Sequence, residues 1–288
     1  MKDYISVVIP VYNEEKCVRR TIEEIKKVME TTGKSFEIIA VNDCSRDRSY
    51  EILSEISDIK VLRHPINQGY GASLKTGIKA SKGDWILIID ADGTYLPGEI
   101  PNLLKYTKTF DMVVGARTGR YVKIPLSRRP AKFILKKLAK ILTKYDIPDL
   151  NSGLRIFKKE IALKYWNLFP KGFSFTTTIT IASLYNGHYV KYIPINYNER
   201  IGESSIKPVR DFVGFMILII KIVTYFNPLR FFIPISLVIF IMGFFRSLRD
   251  FFLLNQIDDL SIVLILISVQ IFLFGLLADL VNKRMISN

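Results

Sequence analysis

Residues 85–93 read Trp85-Ile86-Leu87-Ile88-Ile89-Asp90-Ala91-Asp92-Gly93, five apolar residues followed at once by two carboxylates. A run that is apolar throughout is the pattern of a strand buried on both faces of a parallel sheet. Residues 5–11, 36–41 and 59–62 carry similar runs upstream, and 112–114 another downstream. Amphipathic segments lie between them; over 15–31, Val18, Ile22, Ile25, Val28 and Met29 share one helical face. Strand–helix alternation across 1–116 implies an α/β, doubly wound, mostly parallel sheet. In such sheets ligands gather at the carboxyl ends of the strands, which is where Asp90-Ala91-Asp92 falls.

Two carboxylates at that spacing can share a hard divalent cation whose other ligands are phosphate oxygens. Asp and Gly are also turn formers, so a simple turn after the strand is the competing reading. Polar residues end the neighbouring strands at the same edge. Asp43 can accept hydrogen bonds from a ribose or base; Glu14 can do the same, or sit at a helix N-terminus where acids are favourable. Asn67-Gln68-Gly69-Tyr70-Gly71 has the look of a dinucleotide fingerprint, but Leu74 stands where the third glycine belongs. Of the two histidines, His64 precedes Pro65 and reads as loop structure, and the aromatic residues of 165–192 read as core. The two cysteines, Cys17 and Cys44, have no metal-ligand spacing and read as free thiols.

The chain has 288 residues and a net charge of +14, from 41 Lys+Arg against 27 Asp+Glu. That surplus favours anionic partners: nucleic acid, anionic lipid or phosphorylated substrates. Much of it sits in residues 117–145, which carry ten Lys and Arg and no acid. From Pro130 the pattern turns helical, with an apolar stripe opposite the lysines, fitting either a membrane-surface helix or a helix packed on the core. The run lacks the interleaved aromatics of a base-stacking platform, so nucleic acid is not the expected partner. Residues 208–228 read as an interfacial juxtamembrane helix, interrupted by Lys221. Residues 231–245 are 15 uncharged residues, about 22 Å as a helix, and 260–278 are 19, about 28 Å. They imply a transmembrane hairpin, about 231–248 and 260–281, with Arg246 and Arg249 in its outer loop and a short tail after it. Basic residues on both flanks place its ends in the cytosol. The N-terminus has no signal-peptide pattern, so residues 1–207 are expected to be a cytosolic catalytic domain.

Several motifs in this order resemble the family 2 glycosyltransferases of the GT-A fold, and within them the dolichyl-phosphate mannose synthase-like branch. They are Val-Ile-Pro-Val-Tyr-Asn-Glu at 8–14, Val-Asn-Asp at 41–43, Asn67 with Gly69, Asp-Ala-Asp at 90–92, Gly-Ala-Arg at 115–117, Asp-Leu-Asn-Ser-Gly-Leu-Arg at 149–155, and Arg-Ile-Gly-Glu-Ser at 200–204. The resemblance implies that Pro10, Tyr12, Glu14, Val41 and Asp43 hold the nucleoside, and that Asp90, Ala91 and Asp92 hold the diphosphate and a Mg2+ or Mn2+ ion. It implies Arg117 at the reacting phosphates, and Arg200 with a nearby lysine, here Lys207, on the donor diphosphate. The acid-free basic run can supply Arg117 and Arg129 to an acceptor phosphate, where Ser152 is also expected. Two residues depart from the mannose synthase pattern: Thr94 stands where a glutamine is usual, and Lys207 falls one position late.

The expected reaction moves a hexose from a nucleotide-diphosphate sugar to a polyprenyl or dolichyl phosphate by one in-line displacement with inversion. A phosphate monoester has a second pKa of about 6, so the acceptor needs cations around it rather than a general base. Transfer to a hydroxyl of a lipid-linked saccharide is the alternative within the class, and a non-catalytic membrane adaptor the alternative outside it. Asp149 is expected to order its loop or touch the sugar. Two short spans can also associate between copies, so a homo-oligomer fits the pattern.

Overall fold

The computed structural model describes residues 4–119, 140, 143–170, 175–198, 224–225, 228–254, 256 and 258–287. Two compact units make up the chain, Met1–Phe215 and Met216–Asn288. The first is built on a seven-stranded sheet: β1 (Ile5–Val11), β2 (Phe36–Asn42), β3 (Lys60–Arg63), β4 (Trp85–Ile88), β5 (Met112–Ala116), β6 (Arg155–Lys158) and β7 (Val190–Pro194), in the order β3-β2-β1-β4-β6-β5-β7. All strands share one direction except β6, which is antiparallel to both β4 and β5. This reversal decides the site. The carboxyl ends of the parallel strands and the amino end of β6 lie along one rim, so the chain just before Arg155 arrives beside Asp90 and Arg117.

Helix α1 (Val18–Thr31) covers one face of the sheet. Its Val18, Ile22, Ile25 and Met29 are fully buried, as helical spacing requires, against Ile5, Val7 and Ile9 of β1 and Ile38 and Ala40 of β2. Burying each such side chain stabilises by about 1.5–3 kcal/mol. Residues of the opposite parity, among them Val8 and Val41, lie under α3 (Tyr70–Ala80), which packs on β1 and β2. Shorter helices follow: α2 (Ser49–Ser54), α4 (Ile100–Leu104) and α5 (Lys159–Lys164). In α6 (Phe175–Tyr185), Thr176, Thr177, Thr178, Thr180 and Ser183 are all buried.

The second unit is a helical hairpin, α7 (Pro228–Leu254) and α8 (Asp259–Ser287), each long and apolar enough to cross a bilayer. The expected outer loop is shorter than the sequence reading had it, because α7 runs on through Arg246 and Arg249. Their charges are met locally: Arg246 reaches Asp258 at 2.8 Å, Arg249 reaches Asp250 at 2.7 Å, and the Ser261 hydroxyl donates to Asp250 at 2.9 Å. Most of the expected interfacial helix at 208–228, and of the basic helix after Pro130, lies outside the described residues.

Candidate active site

Three loops close one half of the rim. β1 and β2 each end on a left-handed residue, Asn13 at φ 56° and Cys44 at φ 57°, which turns the chain out of the sheet. The turns then bind each other. Asn13 N donates to Ser45 Oγ at 3.0 Å and Arg46 N to Asn13 Oδ1 at 2.8 Å; Glu14 N donates to Ser49 Oγ at 2.8 Å. Of the residues expected here, Pro10 and Glu14 are buried and Tyr12 is half-buried.

Two others are buried as well. Val41 is fully buried under α3, its side chain facing Gly77. Asp43 is only 3% exposed, and its carboxylate is taken up internally. Oδ1 accepts Gln68 N at 2.8 Å and lies 2.7 Å from His64 Nδ1, while Oδ2 accepts Gly69 N at 2.7 Å. Through these three contacts Asp43 organises the loop ahead of α3. His64 is accordingly more than loop punctuation, since its Nε2 also meets the Thr76 hydroxyl at 2.8 Å.

The other half of the rim is formed by β4, β5 and the start of β6. Asp90 Oδ1 accepts the Tyr70 hydroxyl at 2.9 Å. Asp92 Oδ1 accepts both the backbone N–H of Thr94, at 3.1 Å, and its hydroxyl, at 2.6 Å. Thr94 thus orients the second carboxylate from behind. Gly153 lies directly against Asp90: a Cβ there would sit 2.7 Å from Asp90 Cγ and 2.8 Å from Oδ1. Its backbone N–H donates to the Tyr95 hydroxyl at 2.6 Å.

Arg117, at the end of β5, is held by Asp149. Its Nε donates to Oδ2 at 2.7 Å, a terminal N–H to Oδ1 at 2.9 Å, and its backbone N–H to Oδ2 at 3.1 Å. The guanidinium also lies over Tyr197, which meets Tyr95 edge-on at 5.1 Å between ring centroids. Burial alone would lower the Arg117 pKa, but Tyr95 and Asp149 outweigh it and leave the group firmly charged. Burial raises the Tyr95 hydroxyl above its ordinary range; Arg117 opposes that rise and Asp90 adds to it. Asp90 lies against Gly153, Gly153 N donates to Tyr95, and Tyr95 meets Tyr197, over which Arg117 lies, so these residues form a single cluster.

Arg155 is the residue that sequence reasoning passed over. It is fully buried, and burial holds its pKa below the ordinary guanidinium value. Its N–H groups donate to the carbonyl oxygens of Leu150, Ser152 and Thr176 and to Thr180 Oγ1, at 2.6 to 3.3 Å. A buried cation stapling 150–152 to α6 holds the Asp149–Gly153 loop against Arg117 and Asp90. A charged residue opening so short a strand, directly after Gly153-Leu154, was the available signal.

Ser152, expected at an acceptor phosphate, is fully buried here, and its hydroxyl donates to Gly115 O at 2.5 Å, tying the chain before β6 to β5. Arg129, Arg200 and Lys207 lie outside the described residues. Asp90 and Asp92 fit a divalent cation as hard oxygen donors steered by Tyr70 and Thr94. Among the described residues no group of three or more His, Cys, Asp or Glu comes together to hold a metal.

A mostly parallel sheet that brings two aspartates and a buried Arg–Asp pair to one rim is the frame of a GT-A glycosyltransferase. The chain belongs to glycosyl transferase family 2, which matches residues 6–166, and residues 227–283 match the GtrB C-terminal hairpin family. It is 29% identical to the dolichyl-phosphate beta-glucosyltransferase ALG5C of Trichomonas vaginalis, over 78% of this chain and 72% of that protein. It is 30% identical to an undecaprenyl-phosphate 4-deoxy-4-formamido-L-arabinose transferase of Salmonella paratyphi B, over 84% of this chain and 74% of that one. Among solved structures, glucosyl-3-phosphoglycerate synthase from Mycobacterium tuberculosis, with Mn2+, UDP and phosphoglyceric acid, shares the fold. Its TM-score is 0.59 at 19% identity, over 76% of this chain and 77% of that one.

Proposed function

We propose that this glycosyltransferase moves a hexose from a nucleotide-diphosphate sugar to a polyprenyl phosphate, with inversion, from a catalytic unit in the cytosol. The observation that carries the reading is the common cluster of Asp90, Tyr95, Gly153, Arg117 and Asp149. It sets the Asp90 carboxylate, one of the two suited to a metal and donor diphosphate, and the Arg117 guanidinium around one buried phenol. Both relatives described above act on polyprenyl phosphates by name, and the apolar hairpin keeps the chain where such lipids are.

The residues then divide the work. Pro10, Tyr12 and Glu14 line the nucleoside end, with Asp43 supporting it from beneath. Asp90 and Asp92 would hold Mg2+ or Mn2+, which when bound offsets the charge of the departing diphosphate. Arg117 spends two of its five N–H donors on Asp149, leaving about three for phosphate oxygens. Bidentate pairing fixes the plane of the guanidinium before substrate arrives, so little orientation is lost on binding. Arg129, Arg200 and Lys207 add cationic charge from the chain on either side. An acceptor phosphate that is already anionic needs no proton removed, only positive charge beside it such as that of Arg117.

The test is to give the detergent-solubilised chain one polyprenyl phosphate, Mg2+ or Mn2+, and labelled GDP-mannose, UDP-glucose or UDP-N-acetylglucosamine in turn. One donor is expected to yield a lipid-phosphate-linked monosaccharide of inverted anomeric configuration. Retained configuration rejects direct displacement. Absence of lipid product with every donor favours a saccharide hydroxyl as acceptor. Equal activity of Asp92→Asn and its parent rejects the carboxylate pair as the diphosphate site.

A further inference from the structure

A continuous line of hydrogen bonds runs through the loop ahead of α3. It starts at Thr76 Oγ1, passes through His64 to Asp43, and crosses from the Asp43 carboxylate to the backbone N–H groups of Gln68 and Gly69. The Asn67 amide adds a bond to Asp43 O at 3.3 Å. Gly69, at φ 96°, is in a conformation that favours glycine, and α3 begins at the next residue. That next residue is Tyr70, whose hydroxyl donates to Asp90 Oδ1 at 2.9 Å. A tyrosine at the start of a helix has several rotamers open to it. Here the backbone below is clamped at 68 and 69, which fixes the point from which the ring reaches Asp90.

We infer that Tyr70 is a positioning residue for Asp90: clamped through Gly69 by the Asp43–His64 pair, it sets the carboxylate in the orientation that takes the divalent cation and donor diphosphate. The inference rests on the reading of Asp90 and Asp92 given above. The Asp90 carboxylate is held between two neighbours: the Tyr70 hydroxyl donates to Oδ1, and Gly153 lies against the carboxylate, nearest to Oδ2. Supporting groups of this kind behind a ligating carboxylate commonly contribute about 10–100-fold in metal affinity.

The experiment uses the full chain in detergent micelles and reads Mn2+ binding directly, by the electron paramagnetic resonance signal of free Mn2+ during titration in the presence of UDP or GDP. Tyr70→Phe is expected to weaken Mn2+ binding about tenfold or more. It is expected to raise the KM for the nucleotide-sugar and leave the KM for polyprenyl phosphate unchanged. Because Tyr70 acts through Asp90, adding Tyr70→Phe to Asp90→Asn should weaken Mn2+ no further. A Tyr70→Phe titration that overlays the parent, or full additivity in the double variant, overturns the inference. If Asp90→Asn and Asp92→Asn also bind Mn2+ like the parent, the metal-site reading itself fails, a distinct outcome. Should Tyr70→Phe melt below the assay temperature, Thr76→Val carries the same test, since it strips His64 Nε2 of its partner at the far end of the line. A smaller weakening of Mn2+ binding supports the inference and an unchanged titration overturns it.

Discussion

Replacing Gly153 by alanine adds a single methyl group at the most crowded point of the rim. That carbon would stand 2.7 Å from Asp90 Cγ and 2.8 Å from Oδ1, where ordinary contact begins at 3.4 Å. The carboxylate therefore has to retreat by at least about 0.7 Å, the difference between those contact distances. Retreat is resisted by the Tyr70 hydroxyl on Oδ1 and by the strand end that carries Asp90. Overpacking of this size costs about 1–3 kcal/mol of stability, or about 2–4 °C of melting temperature per kcal/mol in a domain of this length. The effect on chemistry is larger, because displacement of a reacting group by about 1 Å costs on the order of 100-fold in rate. The assay pairs initial rates of lipid-linked sugar formation with melting followed by intrinsic fluorescence. We expect Gly153→Ala to remain folded at the assay temperature and to lose about two orders of magnitude in kcat/KM. A folded variant with parental rates would refute the placement of Gly153 against a working Asp90.

Three further outcomes follow from the same geometry. Asp149→Asn keeps the shape of the side chain but leaves the largely buried Arg117 without its counter-charge, a loss of about 3–5 kcal/mol; a large fall in melting temperature checks it, and a fall within 2 °C rejects it. Thr94→Val removes the 2.6 Å hydroxyl bond to Asp92 but keeps the backbone bond, so Mn2+ affinity should drop about tenfold with little change in melting; an unchanged titration counts against Thr94 as the support of Asp92. On the opposite edge of the sheet, burial pushes the Asp111 pKa up, but the Lys158 bond at 2.7 Å and the Tyr189 N–H outweigh it and hold it low. A depressed folded-state pKa gives stability that is complete above the unfolded value of about 3.9 and is lost as pH falls through the folded one. Lys158→Met should therefore melt lower than the parent at pH 7 and converge with it at strongly acid pH; a gap that widens in acid contradicts the sign.

Elements whose sequence pattern matches their environment were legible. The continuous apolar runs at β1, β2 and β4 fall where the strands are, because both faces of those strands are covered. Helix α1 follows from one-sided burial at helical spacing. The two long hairpin helices follow from length and apolarity, although their exact limits do not, because the Arg246–Asp258 and Arg249–Asp250 pairs let α7 continue through charged residues. Strands β6 and β7 were not legible. β6 is four residues long with a buried arginine in it, and its place between β4 and β5 is a long-range choice that no local pattern records. Helix α6 resisted for another reason: its run of threonines is poor helix-forming sequence, and it is buried on all sides, so no amphipathic stripe marks it. In the site, Asp90, Asp92 and Arg117 could be named from motif order. The satisfaction of Asp43 from within, the inward-turned hydroxyl of Ser152 and the stapling by Arg155 depend on which donors the fold brings within 3 Å, which spacing along the chain does not encode.

The reversed strand has one more consequence. Because β6 opposes its neighbours, the long excursion that leaves β5 at Ala116 comes back to the very edge it departed from. A segment tethered at both feet beside Asp90 and Arg117 can change in length or sequence without shifting the strands that carry those two residues.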